Sequence, residues 1–262
     1  MLFYGNIQMA AMDESYVKSI ASFRDRGNTR EVFVDALSKI FTGVKLGGLR
    51  SCLGIGPGDG WYEIEFIKYS GANISKFIGI EPDHASAEHL RRNLRSSLPG
   101  VESQVFETTM QNWEGPGEPV DLVTMFHVLY PAQLPDGERQ EFLKKVHDSW
   151  LVSGGYVAMA TASRTKSPNS SAIICERLGT PVPAWEEIEA DFLKVGFTKH
   201  YEYEMEVRRD FTQPGENLLP FYQPHFKKGP LTLAVLRDAM KGSLLEGEVD
   251  DFVMLAIFKC TN

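Results

Sequence analysis

Leu53-Gly54-Ile55-Gly56-Pro57-Gly58-Asp59-Gly60 ends the short apolar run Ser51–Ile55 and opens onto Trp61–Tyr69, where apolar residues recur at helical spacing. The stretch reads as strand, glycine turn, helix. Glycines at such a junction let the backbone approach a ligand that a Cβ would push away, which makes Gly56, Gly58 and Gly60 candidate binding positions. About 25 residues further on, Glu81 follows the apolar run Phe77–Ile80 and is placed to accept hydrogen bonds from both hydroxyls of a ribose.

The same unit repeats outward from this turn. Phe77–Ile80 reads as a buried strand, Ser86–Leu94 as a basic helix and Val101–Phe106 as the next strand. Asp121–Phe126 is a further strand, Arg139–Trp150 a helix, and Tyr156–Ala160 a strand after Ser153-Gly154-Gly155. Before the first strand, Val17, Ile20 and Phe23, then Val32, Phe33, Leu37, Ile40 and Phe41, predict two amphipathic helices broken near Gly27 and Asn28. Later, Trp185–Val195 is helical, Thr198–Val207 β-rich, Phe211–Pro230 irregular and aromatic, Leu231–Met240 helical and Asp251–Lys259 an apolar strand. Alternating strands and helices imply right-handed crossovers and a parallel sheet covered on both faces, while the two late strands suit an antiparallel pair at its edge. The expected fold class is α/β: a Rossmann-like, seven-stranded, mostly parallel sheet with an antiparallel C-terminal strand, helices on both faces and an N-terminal helical cap. Residues 1–262 are expected to form a single domain, with 1–48 a helical substrate cap, 49–165 the cofactor-binding half and 166–262 the substrate-side half.

Composition narrows the partners. The chain has 262 residues, 43% hydrophobic and 24% charged, with net charge -8, which excludes collagen-like and disordered classes and disfavours nucleic acid and anionic membranes. Cys52, Cys175 and Cys260 are far apart without a CxxC spacing, so buried free thiols are expected rather than disulfides or zinc. No run approaches the ~18 apolar residues of a membrane span, and Met1–Met12 lacks a basic leader region. A cytoplasmic monomer with a small-molecule substrate is the expectation.

The turn with Glu81 fits both a dinucleotide and S-adenosylmethionine (SAM). Thr108, Thr109, Gln111 and Asn112 offer hydrogen bonds to an adenine edge, and no Gly-Lys-Ser/Thr pattern is present to hold a nucleotide triphosphate. Asp59 would repel a pyrophosphate, yet it tolerates a sulfonium cofactor's cationic groups.

The strand order, Gly56-Pro57-Gly58-Asp59-Gly60, Glu81-Pro82, the Asp121 strand and Ser153-Gly154-Gly155 resemble a class I SAM-dependent methyltransferase. More narrowly, Tyr16-Val17 with its helix, Leu53-Gly54-Ile55-Gly56, Glu81-Pro82, His127-Val128-Leu129-Tyr130 and the final strand resemble the histamine N-methyltransferase family. The resemblance implies that Gly56, Gly58 and Glu81 bind SAM, with Ser86, a threonine of the Thr108/Thr109 pair and Phe126 lining the same pocket, and that the product cofactor is S-adenosylhomocysteine (SAH). The acceptor end departs from the family. Thr29 falls near the position of the amine-gripping acid, with Glu31 two residues later; His127 stands where histamine enzymes carry a glutamine; Asp250 falls near an amine-binding asparagine.

For methyl transfer the chemistry needs a neutral nucleophile held close to the methyl group. His127, at the end of the fourth strand, is the candidate to orient or deprotonate the acceptor, and Tyr130 is its neighbour. Tyr16, Phe23, Phe221 and Tyr222 are candidates for an aromatic lid over a flat or cationic substrate, and Asp250, Asp251 and Glu31 for anionic partners of an ammonium. His84 and Glu88 lie one turn apart without a third ligand, so no metal is expected. The leading expectation is N-methylation of a small amine or imidazole. The alternatives are methylation of oxygen or a carboxylate, SAM binding without catalysis, and a nicotinamide dehydrogenase.

Overall fold

The computed structural model describes residues 14–129, 136–163, 170–210, 215–226, 228–241 and 248–261. Tyr130 lies outside the described residues, as do the side chains of Tyr16 and Asp250. Helices α1 (Glu14–Arg24) and α2 (Thr29–Gly43) come first, followed by β1 (Ser51–Ile55), α3 (Trp61–Tyr69), β2 (Lys76–Ile80), α4 (His84–Ser97), β3 (Glu102–Phe106) and β4 (Val120–Phe126). After these come α5 (Asp136–Lys145), β5 (Leu151–Ser163), α6 (Ser171–Leu178), α7 (Trp185–Val195), β6 (Phe197–Asp210), α8 (Leu219–Tyr222), α9 (Leu233–Met240) and β7 (Glu248–Cys260). Among the described residues the strands form one sheet in the order β3-β2-β1-β4-β5-β7-β6. The first five are mutually parallel; β7 runs antiparallel between β5 and β6.

Side chains alternate across β1, so Leu53 and Ile55 enter one core and Cys52 the other. The first core gathers Ile78, Ile80, Val123 and Met125 beneath α5 and α7, with Trp150, Ile188 and Phe192. The second lies under α2, α3 and α4 and holds Phe33, Leu37, Ile40, Phe66 and Leu90. A third cluster, of Cys175, Leu178, Leu218, Tyr222, Leu236 and Met240, joins α6, α8 and α9, with Phe23 of α1 packed against it. Asp121 ties the lower ends of β1 and β4 together, accepting from Arg50 N, Ser51 N and Ser51 Oγ at 2.8, 2.9 and 2.9 Å. The three cysteines are buried and free, and among the described residues no helix is long and apolar enough to cross a membrane.

The periodicities place β1, α3 and α7 at their observed bounds, and several other elements differ. The helix expected over Arg139–Trp150 is α5 followed by a π-helical turn, Val146–Trp150, in which Val146 and Trp150 are both buried. β5 begins at Leu151, because Gly154 (φ +77°) and a register shift opposite Val120/Leu122 carry the strand through residues that read as a turn. α6 is not anticipated; it starts from Ser170, whose side chain accepts from Ile173 N.

Candidate functional site

At the upper end of β1 the glycine turn is fixed by contacts from four sides. Gly56 N donates to Ile80 O at 2.8 Å, Gly58 N to Glu81 Oε2 at 2.9 Å and Asn93 Nδ2 to Asp59 O at 2.8 Å. Arg24 of α1 meets Asp59 with both terminal nitrogens, at 3.2 and 2.9 Å, and lies 4.9 Å from the Trp61 ring centroid. Gly56, Gly58 and Gly60 have φ of +56°, +59° and +78°, a region that side chains disfavour. Their surroundings differ. A Cβ on Gly56 would stand 2.8 Å from Val128 and one on Gly60 2.3 Å from Leu90, whereas one on Gly58 would meet nothing within 4 Å. Packing demands Gly56 and Gly60; the open backbone is at Gly58. At Gly60 the missing side chain makes room for α4.

Glu81 faces that open backbone. Its Oε1 accepts from Asp83 N at 3.0 Å and its Oε2 from Gly58 N, and a carboxylate with about four lone-pair sites retains room for a ligand's hydroxyls. Burial pushes its pKa up to about 7; the two N–H bonds pull the other way, and Asp83 and Asp59 add repulsion. Glu63 of α3 is buried, with no partner for either carboxylate oxygen among the described residues, and burial drives its pKa well above the usual range. Thr108 and Thr109 lie half-buried after β3, where Thr109 O accepts from Asn112 N and Trp113 N at 3.1 Å each. Ser86 is buried in the first turn of α4, and its N–H caps that helix through Asp83 Oδ2. Phe126 packs among Phe33, Tyr62 and Phe66 and so belongs to the core beneath α2 and α3.

The raised Glu81 fixes the sign of a pH effect. Between its ordinary value of 4.5 and about 7 the folded protein keeps a proton that the unfolded chain has lost. Stability from this group is complete below the lower value and falls, by up to about 3 kcal/mol, as pH rises through the upper one. Denaturant titrations at pH 5 and pH 8 are expected to show this loss in the wild type and not in Glu81→Gln. Equal pH slopes in the two proteins would sink the assignment.

His127 follows β4 with φ +60°, the left-handed region that a non-glycine residue adopts at a cost, and its N–H donates to Ala160 O at 2.8 Å. Its ring lies 5.3 Å from that of Tyr62. Burial, with a further push from Arg209, lowers its pKa to about 4, so the imidazole is neutral at physiological pH. Arg209 of β6 is itself buried and ion-paired to buried Asp251 of β7, donates to Thr29 Oγ1 at 3.3 Å and lies 4.3 Å from the Phe23 ring centroid. Asp251 also accepts from Ser171 N and Oγ, at 2.6 and 2.8 Å.

The structure brings His127, Phe23, Phe221 and Tyr222 to this side and corrects their expected arrangement. Phe23 stacks on Phe221 at 4.1 Å, Tyr222 is fully buried, and Arg209 already lies over the Phe23 face, so these rings pack on one another and on a guanidinium rather than forming an open cage. Glu31 is solvent-exposed in the first turn of α2, and Asp251 is occupied by Arg209. Neither is presented to an ammonium. Sequence reasoning missed Arg24, Asn93 and Arg209, because nothing local to an arginine or asparagine says which distant group it will meet.

No protein-family model matches the chain, and no curated protein matches it in sequence. Solved structures match its fold. A mycolic acid cyclopropane synthase, CmaA1, complexed with SAH and CTAB, has TM-score 0.60 at 13% identity over 95% of this chain and 94% of that one. Cyclopropane synthase MmaA2 from Mycobacterium tuberculosis gives 0.59 at 14% over 93% and 94%. A geranyl diphosphate methyltransferase in complex with SAM gives 0.54 at 15% over 98% and 96%. The fold is therefore that of the class I SAM-dependent methyltransferases.

Proposed function

We propose that this chain is a SAM-dependent methyltransferase acting on a small molecule. The observation that carries the reading is Glu81, at the end of β2, bonded to Gly58 N beside a stretch of backbone left open by the missing side chain. The fit extends to charge, since Glu81 and Asp83 stand beside the turn, with Asp59 paired to Arg24, and a phosphate would meet their carboxylates. Solved structures of the same fold that contain SAM or SAH support the choice of cofactor. When bound, SAM supplies an electrophilic methyl group whose carbon–sulfur bond breaks with both electrons passing to sulfur, leaving SAH.

The acceptor reading is a nitrogen of a small amine or imidazole, taken up as the free base. Neutral His127 has a ring nitrogen able to accept a hydrogen bond from the acceptor's N–H and so to direct its lone pair. The burial and the Arg209 charge that keep His127 neutral also lower the pKa of a basic nitrogen bound next to it. With its own value at about 4, His127 is too weak a base to take a proton at neutral pH, and its role is orientation. A second reading, transfer to a carboxylate or other oxygen, draws support from the positive charge of Arg209 on this side.

The test is mass spectrometry of products after incubating the protein with SAM and a panel of biogenic amines, imidazoles and small carboxylic acids. A singly methylated product from the nitrogen panel is the expected result, with His127→Ala about 10- to 100-fold slower and His127→Gln, which retains an acceptor, closer to wild type. Methylation of oxygen acceptors alone would select the second reading. SAM binding with silence across the panel would overturn both acceptor readings.

A further inference from the structure

We infer that Arg209 is an anion-recognising residue and that the methyl acceptor carries a carboxylate. The inference deepens the methyltransferase reading by naming the acceptor's class, and it rests on that reading.

Arg209 is 3% exposed and has its charge partner in Asp251 and a weaker partner in Thr29, yet among the described residues its Nε has no hydrogen-bond partner. An arginine presents five N–H donors in a planar fork, so a buried donor left over from two partners is a capacity for one more acceptor. A purely structural ion pair gains nothing from leaving that donor empty, because an unsatisfied charged group in a buried place is unfavourable.

Position converts this capacity into recognition. Arg209 lies at the junction of the cap and the sheet edge, over Phe23 of α1, bonded to the first residue of α2, and close enough to shift His127. Arg209 and Arg24 both act on the Tyr62 hydroxyl, next to the His127 ring. The nearby carboxylates Asp59 and Asp251 are each held by an arginine, and Glu31 is exposed. Charge on the acceptor side is thus arranged to receive an anion and offers no free anion to an ammonium among these residues. Carboxylate suits the place better than phosphate. Its two coplanar oxygens match the planar guanidinium fork, and as a monoanion it meets less repulsion from Asp251 than a dianion would. A nitrogen acceptor with a carboxylate handle would use His127 and Arg209 together.

Calorimetric titrations on the full chain test this, with and without SAH, using matched pairs: imidazole-4-acetate against imidazole-4-acetamide, N-methylglycine against its amide, and benzoate against benzamide. At least one carboxylate is expected to bind about tenfold or more tightly than its own amide. That preference is expected to vanish in Arg209→Met while SAH affinity stays unchanged. Because Arg209→Met leaves Asp251 buried without its partner, the double variant Arg209→Met/Asp251→Asn, which removes both charges, serves where the single one does not fold. Equal affinities within every pair, no binding by any carboxylate, or a preference that survives loss of Arg209 overturns the inference. A carboxylate preference in a protein that does not bind SAH would leave the anion site standing and overturn the cofactor reading instead.

Discussion

Replacing Glu81 with alanine is expected to weaken SAM binding by about 10- to 100-fold, a loss of roughly 1.5–3 kcal/mol. The substitution acts twice. It removes the acceptor for a ligand's ribose hydroxyls, and it leaves Gly58 N and Asp83 N without the oxygens that now hold them, which loosens the turn over which the cofactor would lie. Glu81→Gln separates these contributions, because the amide retains one acceptor oxygen but turns its NH2 group toward a backbone donor. Its affinity is expected between those of wild type and alanine. Binding should also strengthen as pH rises from 5.5 to 7.5. Below about 7 the free protein holds a proton on Glu81, and hydroxyl donors favour the ionised form, so that proton must leave when the cofactor binds. Titration calorimetry in buffers of different ionisation enthalpy measures both the affinity and the released proton. An alanine variant with wild-type affinity would mean that the ribose does not lie at the end of β2.

Gly27→Ala is expected to disable methyl transfer while sparing the cofactor. Gly27 joins α1 to α2 and bridges antiparallel to Arg209, and a Cβ there would stand 1.8 Å from Arg208 O and 2.8 Å from Arg208 C. Those atoms are backbone in the sheet's edge strand and cannot turn aside as a side chain can. The linker must therefore lift away from β6, breaking Asn28 N to Arg208 O at 3.3 Å, Arg208 N to Asn28 Oδ1 at 2.9 Å and Asp210 N to Arg26 O at 2.9 Å. Overpacking of this kind costs about 1–3 kcal/mol, and a melting temperature lower by several degrees is expected. The larger effect is on function, since the same shift moves Thr29 and Phe23 away from Arg209 and opens the acceptor side. Single-turnover methylation should fall by two orders of magnitude or more, as misplacement by about 1 Å costs near 100-fold. SAM affinity should change little if the cofactor binds at Gly58 and Glu81 as proposed. If turnover and melting temperature both match wild type, the linker is not what holds the acceptor side closed.

The region of the glycine turn was legible because its signals are local. A glycine turn between a strand and a helix, an acid at the end of the next strand and an alternation of periodicities each lie within a few residues of one another, and β1 and α3 fall where the spacing puts them. Ser86 and Gly60 lie beside the turn, where the structure shows them in backbone capping and helix packing. The side around His127 and Arg209 was less legible for the opposite reason. Glu31 and Asp251 carry the same charge in sequence, but only the fold exposes the first and presents Arg209 to the second from 42 residues away. Phe23, Phe221 and Tyr222 were correctly grouped, yet whether three rings enclose a ligand or one another depends on how α1 meets α8, which periodicity does not encode.

By itself, then, the sequence determined the α/β class, a mostly parallel sheet with an antiparallel ending and the place of the glycine turn, because backbone geometry and hydrophobic period act over short spans. Tertiary structure alone decided which carboxylates are paired, that burial keeps His127 a neutral imidazole, that Arg24 ties the cap to the turn and that Arg209 lies buried against Asp251 and Phe23. Those properties depend on burial and on charges brought together from distant parts of the chain. A charge's energy is set by its surroundings in space, and those exist only once the sheet and its cap have packed.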